Sequence, residues 1–146
     1  MMKLDHIALW TQQLEVVRAF YANFFDGECS TKYCNPAKQY ESYFVSFSGG
    51  ARLELMQRIG IPDRKEPAGS EQVGITHLAF DVGNHEQVKN LTLRIHQAGF
   101  QIVSQPRQTG DGYYESVVLD PDGNRVEITC LSPRTIYSKE PPVRDI

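Results

Sequence analysis

An α+β fold of two tandem β-α-β-β-β modules is predicted for this chain by three observations: a repeated histidine strand, a repeated glutamate strand, and a helix-period apolar stripe in each half. "LDHIALW" (4–10) and "ITHLAFD" (75–81) share the order apolar, polar, His, apolar, Ala, apolar. "ARLELMQ" (51–57) and "NRVEITC" (124–130) share Arg, apolar, Glu, apolar. The second His follows the first by 71 residues and the second Glu follows the first by 73. Within each half the His leads the Glu by 48 and 50 residues, so the chain reads as two copies of one unit.

The elements follow in order. After the His6 strand, Leu14, Val17, Phe20, Tyr21, Phe24 and Phe25 recur at helical spacing, with Gly27 as the expected stop. "YESYFVSF" turned by "SGG" into "ARLELMQ" reads as a strand pair. In the second half Asn84 caps a helix with Gln87 three positions on, and Val88, Leu91, Ile95 and Ala98 form its stripe before Gly99. "YYESVVL" turned by "DPDGN" into "RVEITCL" closes that module. The expected layout is one domain over 1–146: module 1 at about 1–58, a Pro/Gly/charge-rich linker at about 59–73, module 2 at about 74–131, and a tail at 132–146. The tail, with three prolines and mixed charge, reads as an extended strap or disordered end that bears on a partner subunit.

Composition narrows the function. With 146 residues, 40% of them hydrophobic, the chain can bury a core. The net charge is -3 and the basic residues are scattered, which argues against nucleic acid or a membrane surface as partner and favours a small-molecule substrate. The start "MMKLDHIALW" has no long apolar region or small-residue cleavage site, so a cytoplasmic location is expected. Cys29, Cys34 and Cys130 form no CxxC pair and suit reduced thiols. His85 and His96 fall in the second helix and read as solvated.

Strand alternation separates the polar residues from the core. Leu4, His6, Ala8 and Trp10 share one face and Asp5, Ile7 and Leu9 the other; Ile75, His77 and Ala79 oppose Leu78, Phe80 and Val82. The same parity sets Glu54 with Arg52 and Met56, and Glu127 with Arg125 and Thr129. A strand carboxylate flanked by aliphatic residues is costly to bury unless it is paired or metal-bound, and it occurs here twice. Two imidazoles and two carboxylates make a mixed N/O set suited to a divalent ion such as Ni, Zn, Co, Mn or Fe. His6, Glu54, His77 and Glu127 are therefore the candidate ligands, converging on the uncovered face of a curved mixed sheet around a metal cleft.

"DHIALW", "ARLEL", "ITHLAFDV" and above all "LDPDGNRVEI" give residues 4–130 a resemblance to the vicinal oxygen chelate superfamily, the glyoxalase I, bleomycin-resistance and extradiol dioxygenase group. The resemblance implies paired β-α-β-β-β modules around a metal, with the ligand positions on His6, Glu54, His77 and Glu127, most similar to bacterial-type glyoxalase I. It implies a metal-dependent lyase or isomerase that acts on a small oxygen-bearing substrate through a metal-chelated enediolate, with Glu127 as the base and Glu54 as the alternate. Family members commonly pair as dimers, with the cleft within one chain or between two. The alternatives are a non-catalytic protein that sequesters an antibiotic or other small molecule, and an Fe-dependent extradiol dioxygenase.

Glyoxalase I enzymes similar to this chain present an Arg just after the first His and an Asn just after the first Glu, both touching glutathione; Trp10 and Arg58 stand at those places here. The contacts for glutathione are thus unmatched. Trp10, Met56, Arg58 and Tyr113 are the candidate substrate-pocket residues, with Arg52 or Arg58 suited to a substrate carboxylate or phosphate.

Overall fold

The computed structural model describes residues 1–132, so the expectation for the tail lies almost wholly outside the described residues. The chain is α+β, with two helices and two sheets. Module 1 runs β1 (His6–Trp10), α1 (Leu14–Phe24), β2 (Glu28–Cys29), β3 (Tyr33–Asn35), β4 (Tyr40–Ser46) and β5 (Arg52–Arg58). Module 2 runs β6 (His77–Asp81), α2 (His85–Gln97), β7 (Ile102–Gln108), β8 (Tyr113–Leu119) and β9 (Arg125–Leu131).

The sheet orders are β1-β5-β4-β2, with β3 also on β4, and β6-β9-β8-β7. In both modules the histidine strand runs parallel to the glutamate strand, and the registers match: Ala8 lies opposite Glu54 and Ala79 opposite Glu127. A parallel pair needs a crossover, which α1 and α2 supply. The repeated His-to-Glu spacing thus has a structural cause. Pro106 is tolerated because β7 is an edge strand with irregular register.

The sequence suggests one curved sheet; within one chain there are two, joined by side-chain packing. Leu53, Leu55, Val45, Leu78, Val118, Val126 and Ile128 are buried with the stripes of both helices in a single core cluster. Aromatic rings from module 1 cross into module 2: Phe25 lies 4.4 Å from Phe80 and Phe20 lies 4.9 Å from Phe100, ring centre to ring centre. The apolar faces of the two modules therefore meet each other, and both histidine faces point away from the shared core.

Helix boundaries follow local chemistry. Asn84 accepts a hydrogen bond from the Gln87 N–H at 2.9 Å, as an N-cap should. Thr92 joins the buried face of α2 by pairing its hydroxyl with Ser116 at 2.6 Å, whereas Ala98 is exposed. At the end of α1 the expected stop differs. Asp26 takes the left-handed conformation (φ 53), and Gly27 is there for space: a Cβ on it would sit 2.5 Å from Val45 Cγ1 and 3.0 Å from the Tyr21 carbonyl oxygen.

The "DPDGN" turn is organised by one carboxylate. Asp120 Oδ1 accepts from the N–H groups of Asp122 and Asn124 at 2.9 and 2.8 Å, while Oδ2 accepts from Asn124 Nδ2 and the Tyr21 hydroxyl, both at 2.9 Å. Burial raises the Asp120 pKa and these donors oppose the rise; burial and the Asp120 charge hold the Tyr21 hydroxyl protonated. The linker lies over the same turn, with Gly69 N–H on the Gly123 carbonyl at 2.9 Å. Gly123 (φ 77) leaves no room for a side chain, since a Cβ would fall 2.6 Å from that of Ala68.

Asp120→Ala orphans two backbone donors and a buried hydroxyl, and we expect urea unfolding to show a loss of about 2–4 kcal/mol. Tyr21→Phe leaves three donors on the carboxylate and should cost about 1 kcal/mol.

Candidate functional site

The pleat of β1 and β5 places His6, Ala8, Trp10, Arg52, Glu54, Met56 and Arg58 on one open face, joined from β4 by Tyr40, Ser42 and Phe44. His6 Nε2 lies 3.5 Å from Glu54 Oε2. The matching face of module 2 carries His77, Ala79, Arg125, Glu127 and Thr129 with Tyr113, Glu115 and Val117 from β8. Here His77 Nε2 lies 3.3 Å from Glu127 Oε2.

The structure thus brings the four candidate ligands together as two pairs. Among the described residues no His, Cys, Asp and Glu group of three or more is placed to hold a metal ion. The fit of each pair can still be judged. Two ligand atoms each about 2.0–2.2 Å from one ion lie roughly 3.0–3.5 Å apart, the spacing both pairs show. Each module offers one imidazole nitrogen and one carboxylate oxygen preset as neighbouring ligands, which is half of a four-ligand set.

The surroundings of the pairs differ, and sequence reasoning missed the residues responsible. Asp5 was expected on the face opposite His6. Strand β1 begins at His6, so alternation does not govern Asp5, and its Oδ2 turns back to His6 Nδ1 at 2.8 Å and to Arg52 Nη2 at 2.6 Å. The His6 hydrogen bond, then Arg52, holds the Asp5 carboxyl below its ordinary range. A carboxylate on Nδ1 aims the other ring nitrogen at Glu54, a common arrangement behind metal-binding imidazoles.

Tyr40 donates its hydroxyl to Glu54 Oε1 at 3.1 Å, leaving Oε2 toward His6. Burial first, with the Glu54 charge adding to it, raises the Tyr40 pKa, so the hydroxyl remains a donor. In module 2 the neighbour of Glu127 is another acid. Glu115 has its pKa raised by burial and then by the Glu127 charge, and pairs with Arg107 at 3.6 Å. Both Tyr40 and Glu115 are strand residues whose role depends on cross-strand register, which the sequence does not display.

The candidate pocket residues divide in the same way. Trp10 is 41% exposed on the ligand face rather than in the core, and Arg58 lies over its ring with Cζ 5.3 Å from the centroid. Met56 is half-buried, in register with Trp10. Tyr113 shares the Glu127 face, whereas Tyr114 turns to the helix side and stacks on His85 at 4.1 Å. His85 is therefore half-buried rather than solvated, with an Nε2 that has no hydrogen-bond partner among the described residues; His96 is exposed as expected. No disulfide joins the cysteines, and Cys130 is buried.

Residues 3–128 match the family model of the Glyoxalase/Bleomycin resistance protein/Dioxygenase superfamily, and the chain belongs to that superfamily. A curated relative, the uncharacterized protein YqjT of Bacillus subtilis, is 27% identical over 137 residues, spanning 88% of this chain and 99% of that protein. Among solved structures, a glyoxalase/bleomycin resistance protein/dioxygenase domain from Frankia sp. superposes with a TM-score of 0.74 at 16% identity, over 90% of this chain and 98% of that one. The trypanothione-dependent glyoxalase I of Leishmania major gives 0.66 at 21% identity, over 90% and 87%. Glyoxalase I of Zea mays gives 0.72 at 21% identity over 89% of this chain, which spans 45% of that longer enzyme. These likenesses define the fold. Among the described residues no helix is long and apolar enough to cross a membrane.

In the metal-free protein at mildly alkaline pH, the Asp5 contact should fix the neutral His6 ring as the Nδ1–H tautomer. Nitrogen-15 NMR checks this: Asp5→Ala should shift His6 toward the Nε2–H form and leave His77 unchanged.

Proposed function

We propose that this protein is a metal-dependent lyase or isomerase of glyoxalase I type acting on a small oxygen-bearing substrate. The observation that carries the reading is the repetition of one His–Glu pair, at 3.5 and 3.3 Å, on the uncovered face of both modules. His6, Glu54, His77 and Glu127 would hold one divalent ion of the Ni, Zn, Co, Mn or Fe group. When bound, such an ion acidifies the C–H beside a chelated carbonyl and stabilises negative charge on its oxygen.

The chain's own residues divide the remaining work. Glu54, with one oxygen on Tyr40, is the fixed carboxylate. Glu127, beside which a second carboxyl, Glu115, stands in place of a phenol, is the carboxylate that takes the proton from carbon and returns it. The half-buried setting of both, 19% and 15% side-chain exposure against 39% for the histidines, limits competition from water.

Two half-sites on outward faces require a second copy to make one full site. Strands β1 and β6 each have a sheet partner on one side only among the described residues, so open edges lie beside His6 and His77. The reading is therefore a homodimer in which module 1 of one chain meets module 2 of its partner.

Elemental analysis tests the ligands: about one divalent ion per protomer in the wild type should be lost in His77→Ala. His6→Ala and His77→Ala chains, each metal-free alone, should recover metal when mixed and refolded together, because one interface then keeps both pairs. Recovery would be absent for a site within one chain, and a wild type that no ion loads would end the metal reading. Glu127→Gln should keep the fold and lower turnover of the methylglyoxal hemithioacetal by about 10²–10⁴-fold.

A further inference from the structure

Beside the Glu54 pair the open face of module 1 carries a feature that the second module lacks. The strand arginines Arg52, Arg107 and Arg125 are each paired with a carboxylate: Asp5 at 2.6 Å, Glu115 at 3.6 Å and Glu71 at 3.4 Å. Arg58 alone among the described strand arginines has no carboxylate partner. It is exposed, and the Trp10 indole beneath it holds its guanidinium in place. A guanidinium fixed on a ring face keeps its fork of donors free for a planar anion.

Aromatic surface surrounds it. Tyr40 meets Trp10 edge to face at 6.2 Å, and Tyr33, which is 55% exposed, meets Tyr40 at 6.0 Å. Tyr40 links this aromatic surface to the Glu54 pair, since its hydroxyl is on Glu54. Four residues of strand separate Glu54 from Arg58, or roughly 13 Å along β5.

We propose that Arg58, Trp10, Tyr33 and Tyr40 form a subsite for an aryl group bearing a carboxylate or phosphate, with the anion on Arg58 and the ring against the tyrosines. The subsite names the tail of the substrate whose oxygen-bearing head the proposed metal centre takes, and so rests on that reading for its role. A flat, anionic tail gains both the guanidinium and the aromatic surface; a flexible peptide tail gains chiefly the first.

Trp10 is the only tryptophan in the chain, so its emission reports on this subsite alone. The test titrates the full-length protein as purified with phenyl phosphate and phenylacetate, against benzyl alcohol and inorganic phosphate, following emission and calorimetric heat. The aryl anions should bind saturably and better than either half-probe. Arg58→Gln should weaken them about ten-fold or more, while Arg94→Gln, an exposed arginine of α2 on the helix side, should leave them within two-fold. No saturable binding by either readout, or equal affinity in Arg58→Gln, overturns the proposal. Phenyl phosphate and phenylacetate differ in anion, and comparing them identifies which source of charge the subsite prefers. Repeating the titration after chelation separates the two proposals. Aryl-anion binding in a protein that no metal loads would uphold the subsite without the lyase reading, and metal loading without aryl-anion binding would do the reverse.

Discussion

The buried carboxylate of Asp120 is the contact on which the rest of the arrangement depends. It closes the turn between β8 and β9 through two backbone donors, and so sets the register that places Glu127 opposite Val117. The same carboxylate reaches Tyr21 in α1, tying the helix of module 1 to a turn of module 2. Burying a charged group is unfavourable unless its lone pairs are used, and here four donors use them. The acidic turn residue therefore acts as a joint between modules as well as a local turn former.

That joint has a consequence for the site. With α1 engaged by module 2, and Phe25 and Phe20 packed on Phe80 and Phe100, the apolar faces of both sheets are used up against each other. The polar faces are left outward, and each carries a His–Glu pair. A duplicated fold thus presents two matching His–Glu pairs that its own core packing keeps apart.

Equivalence of backbone does not give equivalence of chemistry. Glu54 is held by a phenol and its His6 by Asp5, whereas Glu127 neighbours a second carboxyl, Glu115, whose protonated form burial and the Glu127 charge favour. Two carboxylates in matched positions thereby acquire different surroundings, one bonded to a phenol and one beside another acid. The aromatic surroundings are asymmetric as well. Trp10, Tyr33 and Tyr40 cluster on module 1, while on module 2 Tyr114 is drawn to the helix side by His85.

The sequence by itself determined the module repeat, the helices, the strand parity and the recurrence of His6 and Glu54 as His77 and Glu127, although it read all four as converging on one sheet face where the structure holds two pairs. Each of these is a matter of spacing along one chain, and a parallel strand pair with a fixed crossover preserves spacing. Alternation also put Trp10 and Met56 on the same face as His6 and Glu54. What only the tertiary structure decided are relations across strands and between modules. Asp5 escaped the alternation rule because it precedes the pleat, Gly27 answers to Val45 across the fold rather than to its own helix, and His85 is covered by Tyr114. Tyr40 and Glu115 meet the glutamates through antiparallel register, which turn geometry and core packing fix jointly. The separation of the two pairs onto different faces has the same origin: the aromatic residues that pack module on module are helical-stripe residues like any others until the partner surface is known.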